Sequence, residues 1–154
     1  MDECILTALK LLARRELSVE GLRSRLRDRE YSEADISAAI EHLLETGALD
    51  DGRVARAYAR TAVGVKGRGR LRVLRELQAI GIDRQTAAEA VAEVFGDLDE
   101  RSLIAKAIQK KLRGRPIKDR AERVRLYQHL LRQGFSPAGV THALRALGRT
   151  TPNS

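Results

Sequence analysis

An all-α fold, arranged as three tandem three-helix repeats in an elongated, curved array, is what this amino-acid sequence predicts. Three observations carry that expectation. The first is composition. Of 154 residues, 21 are Ala and 21 are Leu, both strong helix formers, and no run of Val, Ile or aromatic residues alternates with polar ones as a half-buried strand requires. The second is spacing. Apolar residues recur at helical intervals, as in Ile5, Leu9 and Leu12, in Val19, Leu22 and Leu26, and in Ile36, Ala39, Ile40 and Leu43. Each set gives a helix one apolar stripe. The third is internal repetition. Tyr31-Ser32, Ile82-Asp83 and Phe135-Ser136 each join an apolar residue to a helix N-cap type. Four more apolar columns stand at fixed offsets: Leu22, Val73, Leu126; Leu26, Leu77, Leu130; Ile36, Ala87, Val140; and Ile40, Val91, Leu144. Gly47, Gly96 and Gly148 follow as expected helix stops.

Each copy reads as three helices. Copy one (residues 1–48) has helices over 4–15, 19–29 and 33–46, the last opened by Ser32-Glu33-Ala34-Asp35, close to a capping box. Copy two (49–97) has helices over 52–63, 70–80 and 84–95. Asp50-Asp51 precede its first helix, as caps that favour the helix dipole. Gly64-Val65-Lys66-Gly67-Arg68-Gly69 reads as a flexible hinge before a basic helix. Copy three (98–149) has helices over 99–113, 120–133 and 137–147, with Gly114-Arg115-Pro116 as its break and Pro137 in a first turn, where a missing N–H costs nothing. Residues 150–154 are expected to form a disordered tail. The five aromatics (Tyr31, Tyr58, Phe95, Tyr127 and Phe135) are too few for one large core, so thin cores of Leu and Ala are expected. A unit of about 50 residues is marginal alone, and stacking against a neighbour supplies the missing burial. A 12–14-residue helix is roughly 20 Å long, so three units in a row make a long body suited to an extended ligand.

Charge narrows the function. Lys plus Arg is 29 and Asp plus Glu is 21, for a net charge of +8. Residues 1–49 carry −3, 50–81 carry +5, 82–100 carry −5 and 101–154 carry +11. The basic residues have helical spacing: Arg53, Arg56, Arg60; Arg68, Arg72, Arg75 with Arg70; and Lys106, Lys110, Arg113, followed by Arg115, Lys118, Arg120, Arg123 and Arg125. Such stripes meet phosphates or acidic protein surfaces. Among them Arg53, Arg56, Arg68, Arg70, Arg72, Arg75, Lys110, Arg113 and Arg123 are the candidate partner-binding residues.

Other chemistries fit poorly. The glycine-rich stretch lacks the Gly-Lys-Ser/Thr triplet of a P-loop and follows no strand. His42, His129 and His142 form no zinc-binding helix motif, and the single Cys4 permits no internal disulfide and reads as inert packing. No nucleophile, base and oxyanion set is assembled. A non-enzymatic protein without cofactor or metal is expected. The acidic start Met1-Asp2-Glu3-Cys4 shows no signal pattern and no apolar run reaches membrane-spanning length, so a cytoplasmic chain, with no membrane partner, is the plain expectation.

Several stretches, running in order over residues 6–147, resemble the RecX family, regulators of the bacterial recombinase RecA. They are Ala13-Arg-Arg-Glu-Leu-Ser18 with Leu22 and Leu26; Gly47-Ala-Leu-Asp-Asp-Gly-Arg-Val-Ala55; Lys66-Gly-Arg-Gly69 with Leu71, Glu76, Leu77, Gly81 and Ile82; and Tyr127-Gln-His-Leu-Leu-Arg-Gln-Gly-Phe-Ser136. Leu17 stands where the family often has an aromatic, and Val54 where Phe or Tyr is usual. A monomer is expected, and the resemblance implies a modulator without catalysis of its own. It implies three three-helix units lying in the groove of the RecA–single-stranded-DNA filament, where members inhibit ATP hydrolysis, strand exchange and co-protease action in recombination, repair and the SOS response. Weak, non-specific binding to single- or double-stranded DNA is compatible with it.

The alternative is a helix-turn-helix DNA-binding protein, since three-helix units are a common major-groove scaffold. Its third helices count against it. They carry Glu33, Asp35, Glu41 and Glu45 in copy one and Glu89 and Glu93 in copy two, charges that phosphates repel. Only copy three, with Arg145 and Arg149, has the right sign.

Overall fold

A computed structural model of the chain describes residues 2–150 and is all-α. Its helices are α1 (Asp2–Arg14), α2 (Val19–Asp28), α3 (Glu33–Thr46), α4 (Asp51–Gly64), α5 (Arg70–Ala79), α6 (Arg84–Phe95), α7 (Glu100–Leu112), α8 (Arg120–Gln133) and α9 (Pro137–Thr150). Among the described residues there is no strand. The expected helices are all present, most bounds shifting by one residue or none. The clearest difference is at the end: α9 runs through Gly148 to Thr150, so Gly148 is helical and Thr150 is not part of a tail. Residues 151–154 lie outside the described residues.

The five apolar columns are the core. Fourteen of their fifteen side chains are buried; the exception, half-buried Tyr31, shares a 2.7 Å hydrogen bond between its hydroxyl and Thr7 Oγ1. In copy one, α1, α2 and α3 pack pairwise around Leu22, Leu26, Ile36 and Leu43. In copy three, α7, α8 and α9 do the same around Ile104, Leu130, Phe135 and Val140. Burying one such side chain stabilises by roughly 1.5–3 kcal/mol. Cys4 belongs to the first core, and burial raises its thiol pKa.

The turn between second and third helix is built three times in one way. The C′ N–H donates to a carbonyl three residues back: Glu30 to Arg27 (2.8 Å), Gly81 to Gln78 (3.0 Å) and Gly134 to Leu131 (3.0 Å). The next, apolar residue donates five residues back: Tyr31 to Leu26, Ile82 to Leu77 and Phe135 to Leu130. These are Schellman bonds, and they need a left-handed residue at C′. Glu30, Gly81 and Gly134 supply it at φ 65°, 93° and 105°. The N-cap oxygen then accepts the N–H three residues on: Ser32 from Asp35, Asp83 from Thr86 and Ser136 from Gly139. Of the glycines expected to stop the third helices, only Gly47 is left-handed, at φ 80°. Gly96 is not.

By compactness the chain divides into two units. One holds the residues up to Tyr58 with Glu76–Ala90, the other Ala59–Arg75 with the residues from Val91 on. Each contains a joint of the same design, in which the start of one copy's second helix meets the helix-turn-helix corner of the next copy. In the first unit, buried Ser18 caps α2 by accepting the Gly21 N–H (3.0 Å) and donates to the Ile80 carbonyl (3.3 Å). A β-carbon on Gly81 would lie 2.7 Å from Glu20 Cβ. In the second unit, Gly69 N–H donates to the Gln133 carbonyl (2.7 Å) and Leu71 N–H to the Gly134 carbonyl (3.0 Å). Gly69, the residue before α5, has no side chain to cap it, and the corner's carbonyls accept from Gly69 and Leu71 N–H. Gly69 is therefore buried and pinned, not the end of a flexible hinge; the linker also folds back, Arg68 N–H donating to the Ala62 carbonyl (2.9 Å).

Asp50 and Asp51 divide the role expected of both. Asp50 caps α4 through the Arg53 N–H (3.1 Å), whereas Asp51 accepts the Val19 N–H (2.9 Å) at the start of α2. Burial raises the Asp51 pKa against that hydrogen bond. Replacing Ser18 by alanine removes one cap and one joint bond, and is expected to cost about 1–2 kcal/mol. Urea denaturation checks this; an unchanged midpoint would mean that the joint bond contributes nothing.

Candidate basic cleft

The nine candidate cations divide between the units. Arg53 and Arg56 are in the first; Arg68, Arg70, Arg72, Arg75, Lys110, Arg113 and Arg123 are in the second. Several serve the fold. Arg53 pairs with Glu16 and donates to the Gly47 (3.0 Å) and Ala48 (3.2 Å) carbonyls at the end of α3. Arg123 on α8 donates to the Leu144 carbonyl of α9 (2.8 Å). Arg72 donates to Gln133 Oε1 (2.7 Å) beside the second joint. Arg56 and Arg68 are half-buried, whereas Arg70, Arg75, Lys110 and Arg113 are exposed.

Lys110 and Arg113 come together with other cations in a cleft of about 780 Å³ within the second unit. One wall is the end of α4 and the linker after it, Gly64 to Gly67; the other is the face of α7 bearing Lys106, Lys110 and Lys111, continued by Arg113; His129 and Gln133 of α8 complete the lining. Helical geometry explains the α7 wall. Lys106 and Lys110 are one turn apart on the exposed side, while Ile104, Ile108 and Leu112 point into the core. Arg113 is the left-handed C-cap, at φ 54°, and brings a cation to the negative end of the helix dipole. The apolar part of the lining is Val63, Val65, Leu98, Leu103 and Ala107.

All the full charges lining the cleft are positive. Among the described residues no ion pair involves Lys66, Lys106, Lys110 or Lys111. The His129 pKa is depressed, first by burial and then by Lys111, Arg132 and Arg72. Sequence reasoning passed over Lys66, Lys111, His129 and Gln133. One signal was available for the lysines: the chain has only 6 against 23 Arg, and four of those six line this cleft.

Beyond α7, Arg115 forms a two-pronged pair with Glu122 (2.9 and 2.6 Å), and Glu122 also accepts the Lys118 N–H (2.7 Å). These bonds, the Arg115 pair foremost, push the Glu122 pKa down to about 2 from 4.5. The ionised form is favoured by folding, so its stabilisation is present above pH 4.5 and is lost as the pH falls toward 2. Glu122→Gln is expected to flatten the acid limb of the urea midpoint across that window. Superimposable limbs for both proteins would refute the assignment. Among the described residues no group of three or more His, Cys, Asp or Glu could hold a metal ion, and no helix is long and apolar enough to cross a membrane.

Three-helix units joined corner to helix start, with a basic cleft in the second unit, define an all-α tandem-repeat protein. Family models of the first, second and third three-helix domains of RecX match residues 4–43, 50–91 and 99–144. The chain belongs to the RecX family. It is 35% identical to the regulatory protein RecX of Vibrio parahaemolyticus over 89% of this chain and 86% of that one. It is 34% identical to that of Halorhodospira halophila over 90% and 84%, and 32% identical to that of Treponema pallidum over 92% and 82%. The crystal structure of RecX from Lactobacillus salivarius shares the fold with a TM-score of 0.79 at 20% identity, over 96% of each chain. A second RecX crystal structure does so with a TM-score of 0.78 at 18% identity, over 94% of this chain and 71% of that one.

Proposed function

We propose that this chain is a non-catalytic regulator that binds the RecA–single-stranded-DNA filament. It lies in the filament groove across adjoining protomers and inhibits ATP hydrolysis, strand exchange and co-protease activity, tuning recombination and DNA repair. It acts as a monomer in the cytoplasm, and its own contacts to DNA are weak and sequence-blind. The observation that carries this reading is the match of three successive RecX domains, in order, between residues 4 and 144. The single sign of the full charges lining the cleft supports it, because a positively charged groove attracts an acidic filament surface. Arg70 and Arg75, exposed on α5, add to the basic surface of the same unit.

Bridging explains how a small binder inhibits. Tandem units raise one another's effective concentration, and a chain held on two protomers favours the filament state that fits both. The test is recombinase ATPase on single-stranded DNA with substoichiometric added chain. The expected result is fractional inhibition greater than the fraction of protomers bound. Undiminished ATPase at equimolar chain overturns the reading. A sequence-specific footprint on duplex DNA that survives moderate salt would replace it with the helix-turn-helix alternative.

A further inference from the structure

We propose that the cleft between the Gly64–Gly67 linker and α7 is a docking site for an acidic peptide segment carrying apolar anchor residues, and not for a nucleic-acid strand. The inference rests on the filament reading only for which protein supplies the segment; the chemistry comes from the cleft. Two properties coexist there. Its full charges are Lys66, Lys106, Lys110, Lys111 and Arg113, all positive, so a carboxylate-rich partner is attracted. The rest of its lining is largely aliphatic, including Val65 on the linker, which is 75% exposed. An aliphatic surface interleaved with positive charge suits a segment with apolar residues on one face and carboxylates on its flanks, as an amphipathic helix laid in a groove presents them.

A single nucleic-acid strand fits less well. Such sites hold bases on aromatic side chains, with each stack worth about 1–3 kcal/mol. None of Tyr31, Tyr58, Phe95, Tyr127 and Phe135 lines the cleft. Phosphate recognition also favours the forked guanidinium, yet in a chain with 23 Arg this cleft gathers four of the 6 Lys and a single Arg. Lysine's point charge and flexible stem tolerate carboxylates in varied positions, as a peptide presents them.

The experiment uses the full chain at near-physiological salt and three probes read by fluorescence anisotropy. The first is a labelled twelve-residue peptide with Leu at helical spacing and Glu elsewhere. The second is an all-Glu peptide of the same length, and the third is a twelve-nucleotide oligo-dT. The Leu/Glu peptide is expected to bind saturably, and at least tenfold more tightly than either other probe. Lys106→Glu/Lys110→Glu should weaken it at least tenfold, and Val65→Ser severalfold. These are exposed positions, and circular dichroism should confirm an unchanged fold. Oligo-dT that competes on equal terms overturns the inference in favour of nucleic acid. Affinity unaltered by the double variant overturns it as well. Co-sedimentation with recombinase filaments is run in parallel. Peptide binding without co-sedimentation supports the cleft and defeats the filament reading; lysine-independent co-sedimentation without peptide binding defeats the cleft alone.

Discussion

Gly134→Ala is expected to destabilise this protein by about 3 kcal/mol or more, lowering Tm by several degrees at about 2–4 °C per kcal/mol. Two costs add. At φ 105° the backbone lies where side chains other than glycine are strained, which costs on the order of 1–3 kcal/mol. The new β-carbon would also lie 2.5 Å from both Cβ and N of Arg72, and 2.8 Å from the Gly69 carbonyl oxygen. Two of those three atoms are backbone, so relief requires the corner to lift off α5. That movement breaks the hydrogen bonds from Gly69 N–H to the Gln133 carbonyl and from Leu71 N–H to the Gly134 carbonyl. Gly81→Ala should cost less, because its nearest obstacles are Cβ and Cγ of Glu20, an exposed side chain. Glu30→Gly should change stability by less than about 1 kcal/mol, since relief of left-handed strain and loss of chain stiffness oppose each other. Urea denaturation of the three variants tests the order; a Gly134→Ala protein within 1 kcal/mol of wild type would show that the joint yields.

These three positions mark what the sequence makes legible. The columns through Leu26, Ile36 and Ile40 are local and periodic, and N-caps such as Ser32 and Ser136 are local chemistry, so both could be read directly. The left-handed C′ position is equally periodic but was hidden, because Glu30 occupies it in copy one and glycine in the others. The joints account for glycine at two of the three: Gly81 and Gly134 each face a neighbouring helix start. A partner more than sixty residues away, as Gly69 has in Gln133, leaves no periodic trace. Gly69 therefore read as part of a hinge. Gly96 directly follows the last residue of α6 without being left-handed, and α9 runs on through Gly148, because glycine near a helix end does not fix its own φ. The cleft was half legible. The spacing of Lys106, Lys110 and Arg113 gives one wall, but Lys66 reaches it only because the linker folds back through the Arg68-to-Ala62 bond.

The cleft and the structural arginines should separate cleanly under mutation, and the separation tests where the binding charge lies. Lys106→Glu/Lys110→Glu/Lys111→Glu changes the local charge by six units on an exposed face, where no ion pair among the described residues is broken. Tm should stay within a few degrees, while the concentration needed for half-inhibition of the recombinase ATPase should rise tenfold or more. Wild-type inhibition should weaken with salt, since exposed charges are screened over about 8 Å at physiological ionic strength; the triple variant should lose most of that salt dependence. Arg53→Ala and Arg123→Ala should behave in the opposite way. Their guanidiniums hold the carbonyls of Gly47, Ala48 and Leu144, and a bond from a charged donor contributes about 1.5–3 kcal/mol when well shielded and less when half-exposed. A loss of roughly 1–2 kcal/mol in stability with inhibition retained at low temperature is therefore expected for each. If the triple-lysine variant inhibits like wild type while Arg53→Ala or Arg123→Ala abolishes inhibition without unfolding, the binding charge lies at the arginine positions and the cleft is a bystander.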